Sequence, residues 1–177
     1  MRYQKVIIGL LFFACILGGL TYASSLPYEK QDLRQLIKQY VDTEYVVEHY
    51  SHIDFDYGGK PVSIAYSGVE GFIEFFIRKA AHAVTFATIA VTVYFLLARL
   101  SSVSVALPWS GCLTAVIAVL DEWHQSFTIN RTALLSDVML DMAAGYTALL
   151  IAFLLHITLR TEKPVRWSDV YRRRKKL

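Results

Sequence analysis

Four long apolar blocks divide the chain, and its longest polar stretch lies between the first and the second. Residues 6–23 form the first block, behind Arg2 and Lys5. That length approaches the roughly 20 residues a helix needs to cross a bilayer. Thr21-Tyr22-Ala23-Ser24 also resembles a small-residue cleavage site, but the run is longer than a usual signal-peptide core and favours an uncleaved anchor. The second span covers about residues 80–100 and grows out of a helix that starts near Gly68. After a short connection at 101–104, the third span ends near Leu120, with Pro108 and Gly111 in its first half. The fourth runs from near Leu134 to Leu159. This pattern predicts an all-α integral membrane fold, a four-helix transmembrane bundle.

Residues 24–77, between the first two spans, hold nine acidic residues against four basic ones. Pro27 marks the start of an amphipathic surface helix, in which Leu33, Leu36, Ile37, Tyr40, Val41 and Tyr45 recur at three- and four-residue spacing. Ile53, Phe55 and Tyr57 then alternate with polar neighbours, as do Val62, Ile64 and Tyr66 beyond Gly58-Gly59-Lys60, which predicts a small hairpin. A lone hairpin is marginally stable, so it must lean on another element. The chain thus divides into a first anchor (1–23), an extracytoplasmic segment (24–77), a core of three spans (78–160) and a basic tail (161–177).

Composition agrees with a membrane protein: 55% of the 177 residues are hydrophobic and mean hydropathy is +0.39. Cys15 and Cys112 lie inside apolar runs and read as small buried hydrophobes rather than a disulfide. The net charge of +3 conceals an asymmetry that sets orientation. Arg2, Lys5, Arg99 and the eight basic residues from Arg160 onwards all fall on one side, and the acidic 24–77 segment falls on the other. The positive-inside rule makes both termini cytoplasmic, in a multi-pass protein of the cell membrane. Topology accounts for the basic tail, so no nucleic-acid partner is assigned.

One consequence is chemical. Asp121 to Asp141 reads D-E-W-H-Q-S-F-T-I-N-R-T-A-L-L-S-D-V-M-L-D, with four carboxylates between two apolar runs. A central Asp or Arg costs about 2.5–3.5 kcal/mol on insertion scales, so such residues are functional candidates by default. The topology gathers Arg78, Lys79 and His82, then Asp121, Glu122, His124 and Gln125, then Arg131, Asp137 and Asp141 at the outer face. Asp121 aligns on a helix with His124 and Gln125, three and four residues on, and Asp137 shares a face with Asp141. Asp137 sits near a helix start, where a carboxylate is favoured; Asp141, a turn deeper, must be paired, protonated or facing water. The plain alternative is that Arg131, Arg78 or Lys79 pairs with these carboxylates to fix helix register. His82, Asp121, Glu122, His124, Asp137 and Asp141 are metal-ligand types, yet neither H-E-x-x-H nor a paired-Cys motif is present. No metal and no cofactor is assigned.

These motifs resemble the VanZ family of membrane proteins. The resemblance rests on R-K-x-x-H at Arg78, Lys79 and His82, and on D-E-x-H-Q-x-F from Asp121 to Phe127. Arg131 and D-x-x-x-D-x-x-x-G at Asp137, Asp141 and Gly145 follow, so the match covers about residues 75–155, and Ser24-Ser25-Leu26-Pro27 resembles the region after the family's anchor. Where the family pattern usually has Gly before the Arg of the outer turn, this chain has Asn130, which tolerates positive φ better than most residues. The resemblance implies a bacterial cell-envelope protein associated with reduced susceptibility to teicoplanin-type glycopeptides. Three functions are compatible with the residues. The leading one is a binding protein whose outer polar site engages membrane lipid headgroups, a lipid-linked cell-wall precursor or a lipoglycopeptide antibiotic, with Arg as the phosphate-binding group. The second is a membrane enzyme acting on a lipid-linked substrate, with Glu122 or His82 as general base and metal assistance. The third is a small proton-coupled transporter built on Asp141, which the absence of an inverted repeat disfavours.

Overall fold

The computed structural model describes residues 2–161, and all but the first residue of the basic tail assigned to 161–177 lies outside them. Helix α1 (Arg2–Ser25) is followed by a 3-10 turn (Tyr28–Gln31) and two short helices, α2 (Arg34–Tyr40) and α3 (Thr43–Tyr50). Strands β1 (Asp54–Tyr57) and β2 (Lys60–Ser63) come next, then α4 (Ile64–Leu100), α5 (Val103–Gln125) and α6 (Leu135–Thr161). Helices α1, α4, α5 and α6 are long and apolar enough to cross a membrane, as the four apolar blocks predict. Helix α4 is interrupted at Gly68 (φ 72°, ψ 172°), near the helix start expected from the sequence, and at 1.5 Å per residue the part after the kink is about 48 Å long, more than a hydrocarbon core of about 30 Å.

Helices α4, α5 and α6 pack as the core of the bundle. Phe86, Ile89 and Val93 of α4 meet Ala118 of α5 and Val138 of α6, while Ala90 and Tyr94 pack with Ala106, Leu149 and Ala152 further along. Gly145 of α6 packs tightly against both neighbours: a Cβ there would stand 2.7 Å from the Thr114 methyl and 3.5 Å from that of Ala90. Helix α1 is peripheral, with only 6% of its apolar span buried. It runs antiparallel to α4, its Gly9 against Leu96 and its Ser24 reaching Asp121 at the C-terminal end of α5. Cys15 and Cys112 correct the sequence reading. Both are free and exposed on the flanks of α1 and α5, because the buried stripe of each helix is occupied by other residues.

The segment between α1 and α4 caps one end of the bundle. The single surface helix expected from Pro27 is broken into three pieces. The break before α3 falls at Asp42, whose carboxylate accepts from the backbone N–H groups of Glu44 and Tyr45. The hairpin forms as expected, with Phe55 opposite Val62 and Gly58 and Gly59 in the turn at φ 60° and 79°. Its second strand ends at Ser63, so Ile64 and Tyr66 are already helical. The hairpin leans on α4 through Phe55 and Tyr57, whose rings meet Phe75 edge-on at 6.2 and 5.2 Å. Gly58 also abuts α6, where a Cβ would lie 2.9 Å from the Ser136 hydroxyl.

Candidate functional site

Successive turns of α4 present Glu74, Arg78 and His82, with Lys79 beside them; the last turns of α5 present Asp121, Glu122 and Gln125. The first turns of α6 present Asp137 and Asp141. All lie at the end of the bundle that the hairpin covers. Between α1, α4 and the α5–α6 turn is a cavity of about 640 Å³. Its polar wall carries Lys60, Arg78, Lys79, His82 and Arg131, with Asp137 as its one carboxylate among the described residues. Its apolar wall is Ile16, Gly19, Leu20 and Ala23 of α1 with Ala81 of α4.

Each cation is held differently. Lys79 pairs with Asp137, and the Tyr57 hydroxyl donates to the same carboxylate oxygen at 2.6 Å. Burial, and then donation to Asp137, pushes the Tyr57 hydroxyl well above its ordinary pKa. Arg78 donates to Glu74 at 2.9 and 3.1 Å and lies over the Tyr28 ring, 4.3 Å from its centroid. Arg131 donates instead to the neutral amide oxygen of Gln31, which also accepts from Arg78 at 3.4 Å. Among the described residues no carboxylate reaches Arg131 at ion-pair distance. Burial, and then the Arg78 charge, lower the Arg131 pKa. The cavity wall is therefore net positive and has an under-compensated guanidinium at its rim.

The carboxylates behind the wall are buried. Asp121 accepts from the Ser24 hydroxyl at 2.6 Å and from the Gln125 amide at 2.8 Å. One Glu122 oxygen accepts from the Leu134 N–H at 2.6 Å and ties the approach to α6 back to α5; its Oε2 has no partner among the described residues. His82 Nδ1 lies 3.4 Å from Asp141 Oδ2, and Asp141 Oδ1 has no partner among the described residues. Donor atoms of His82, Asp121 and Asp141 all lie within 4.8 Å of one another, so among the described residues these three could hold a metal ion.

The chain matches the sequence profile of the VanZ/LLP1 family over residues 7–156, from the first helix through most of the fourth. It belongs to the VanZ/LLP1 family. No curated protein and no solved structure matches it. In this VanZ/LLP1 protein every residue singled out in the sequence lies inside the matched region, but not all of them meet. His124 turns away from the cavity and lines a smaller groove with Leu17, Thr21 and Ile117, its Nε2 3.5 Å from the Ser25 hydroxyl. Asn130 adopts φ 60°, the left-handed conformation a glycine would hold, and its amide donates to Glu29. That bond is the second cause, after a backbone hydrogen bond, of the lowered Glu29 pKa.

Other VanZ/LLP1 site residues stand outside the candidate set drawn from the sequence. Glu74 is only 1% exposed and accepts from Tyr28 at 2.8 Å and Arg34 at 3.2 Å besides Arg78. Its place four residues before Arg78 predicts their ion pair from the sequence, and the pair forms; its links to Tyr28 and Arg34 are what the spacing does not give. Tyr28, Gln31, Tyr57, Lys60 and Ser24 reach the site from the segment between the spans and the end of α1; Tyr57 and Lys60 are legible as hairpin positions and Ser24 through the resemblance, but no local pattern places any of them in the site.

Proposed function

We propose that this integral membrane protein binds the phosphate or diphosphate headgroup of a membrane lipid or lipid-linked envelope precursor. The cavity at the hairpin end is the binding site, and that end is the outer face. The observation that carries the reading is one cavity with a cationic wall of Lys60, Arg78, Lys79 and Arg131 facing an apolar wall of α1 and α4. Its volume of about 640 Å³ falls in the usual range of ligand sites. A phosphate would take the hydrogen bonds that Arg131 now gives to a neutral amide, because charge-assisted bonds are the stronger ones. The lipid chain would lie against Ile16 and Leu20. An effect on teicoplanin-type glycopeptides, the association the family resemblance implies, would then follow from holding such a precursor.

Purified protein in nanodiscs, titrated with a polyprenyl diphosphate and with the matching polyprenol, tests this directly. The diphosphate is expected to bind and the alcohol to bind far more weakly. Arg131→Ala is expected to cut affinity about tenfold, the weight of one charge-assisted contact. Equal binding of both compounds, or full affinity in a folded Arg131→Ala protein, would refute the reading. In cells, Arg131→Ala and Asp137→Asn proteins that accumulate normally are expected to lose any glycopeptide protection the wild type confers.

A further inference from the structure

Asp141 is not explained by phosphate binding. It enters from α6 one turn below Asp137, is 2% exposed, and does not line the cavity. Among the described residues its only side-chain polar partner is His82 Nδ1 at 3.4 Å, long beside the roughly 2.7–2.9 Å of a charge-assisted hydrogen bond. Its other oxygen has no partner among the described residues. A buried carboxylate oxygen left unpaired is costly, and its presence in a packed helical core points to a missing partner.

The neighbours indicate which kind. Asp121 comes in from α5 and His82 from α4, so three helices each deliver one donor, all within 4.8 Å of one another. Two carboxylates that close repel in a dry interior, and a cation between them reverses the sign of that interaction. Asp121 is already oriented by hydrogen bonds from Ser24 and Gln125, the outer-shell arrangement that steadies a ligating carboxylate. We propose that His82, Asp121 and Asp141 bind a divalent cation. One imidazole nitrogen with two carboxylate oxygens suits Zn²⁺ or Mn²⁺. Donors around an ion at about 2.1 Å stand about 3.0–3.4 Å apart, so the side chains draw in on binding. Three protein donors leave coordination positions open. His82 also lines the cavity, from which water or a phosphate oxygen would reach an open position.

The site is independent of the lipid reading and is tested without lipid ligand. Tag-free protein in nanodiscs is stripped with a chelator, then titrated with Zn²⁺ and Mn²⁺ by calorimetry and with Co²⁺ by visible absorption. One equivalent of at least one of these ions is expected to bind, with His82→Gln and Asp141→Asn each weakening binding at least tenfold. Arg131→Ala is expected to bind the ion as the wild type does, so loss of phosphate binding and loss of the metal are separable. Wild type that takes up no stoichiometric ion, or uptake unchanged in His82→Gln and Asp141→Asn, overturns the proposal. Should Asp141→Asn fail to fold, His82→Gln and Asp121→Asn decide it: an unaltered Co²⁺ spectrum in both overturns the site.

Discussion

Glu74 shows how a single buried acid holds the extramembrane segment to the bundle. Tyr28, the Leu33 N–H, Arg34 and Arg78 all donate to it. Replacing it with Ala strands Arg78, whereas Arg34, about half exposed, turns to water. A loss of about 3 kcal/mol is expected, at the lower end for a broken buried pair, and thermal unfolding in detergent would register it. Tyr57 gives a prediction in pH. Unfolded, its hydroxyl titrates near the ordinary value of 10.0, and folded, it keeps its proton to higher pH. Above that ordinary value the folded state binds the extra proton, so stability is intact at lower pH and falls as pH rises. Between about pH 9 and 11 the melting temperature of Tyr57→Phe should decline less steeply than that of the wild type, and a parallel decline would contradict the shift. Of these partners only Arg78 was legible in the sequence, through its four-residue spacing from Glu74. Tyr28, Arg34 and Tyr57 are joined to the site across 40 or more residues, and no local periodicity encodes a contact of that kind.

At the level of elements, the spans and the hairpin were readable because each repeats a simple signal: an unbroken apolar run, or alternation around a Gly-Gly turn. The break at Asp42 was not, since the apolar spacing continues through Val41 to Tyr45 as if the helix did. Asp42 two residues before Glu44 was the signal for a new helix start. Gly145 and Asn130 were legible as motif positions, but their reasons are structural. Gly145 lets α4, α5 and α6 meet, so Gly145→Ala must displace the Thr114 methyl. The expected cost is about 1–3 kcal/mol, read as a lower melting temperature, and Thr114→Ser in the same chain should restore part of it by removing that methyl. Asn130 holds φ 60° in the turn that carries Arg131. Asn130→Gly should therefore leave stability within about 1 kcal/mol, whereas Asn130→Val, strained at positive φ, should lower both stability and binding at Arg131.

For the whole molecule, which way the bundle faces decides what the cavity can meet. The orientation proposed above, hairpin end outward, rests on the Lys and Arg residues of the sequence near the opposite span ends, Lys5, Arg99 and those from Arg160 onwards. Because Cys15 and Cys112 are exposed rather than packed in the core, both can be changed to Ala with little disturbance. In that background Glu48→Cys puts a thiol on the exposed face of α3 at the hairpin end, and Ser102→Cys puts one in the exposed turn between α4 and α5 at the other. A membrane-impermeant maleimide should label the first in intact cells and the second only after lysis. The reverse pattern would turn the cavity toward the cytoplasm and restrict its ligands to lipids of the inner leaflet. The packing of Arg78, Lys79 and Arg131 would be unchanged, but a precursor displayed outside the cell would no longer reach them.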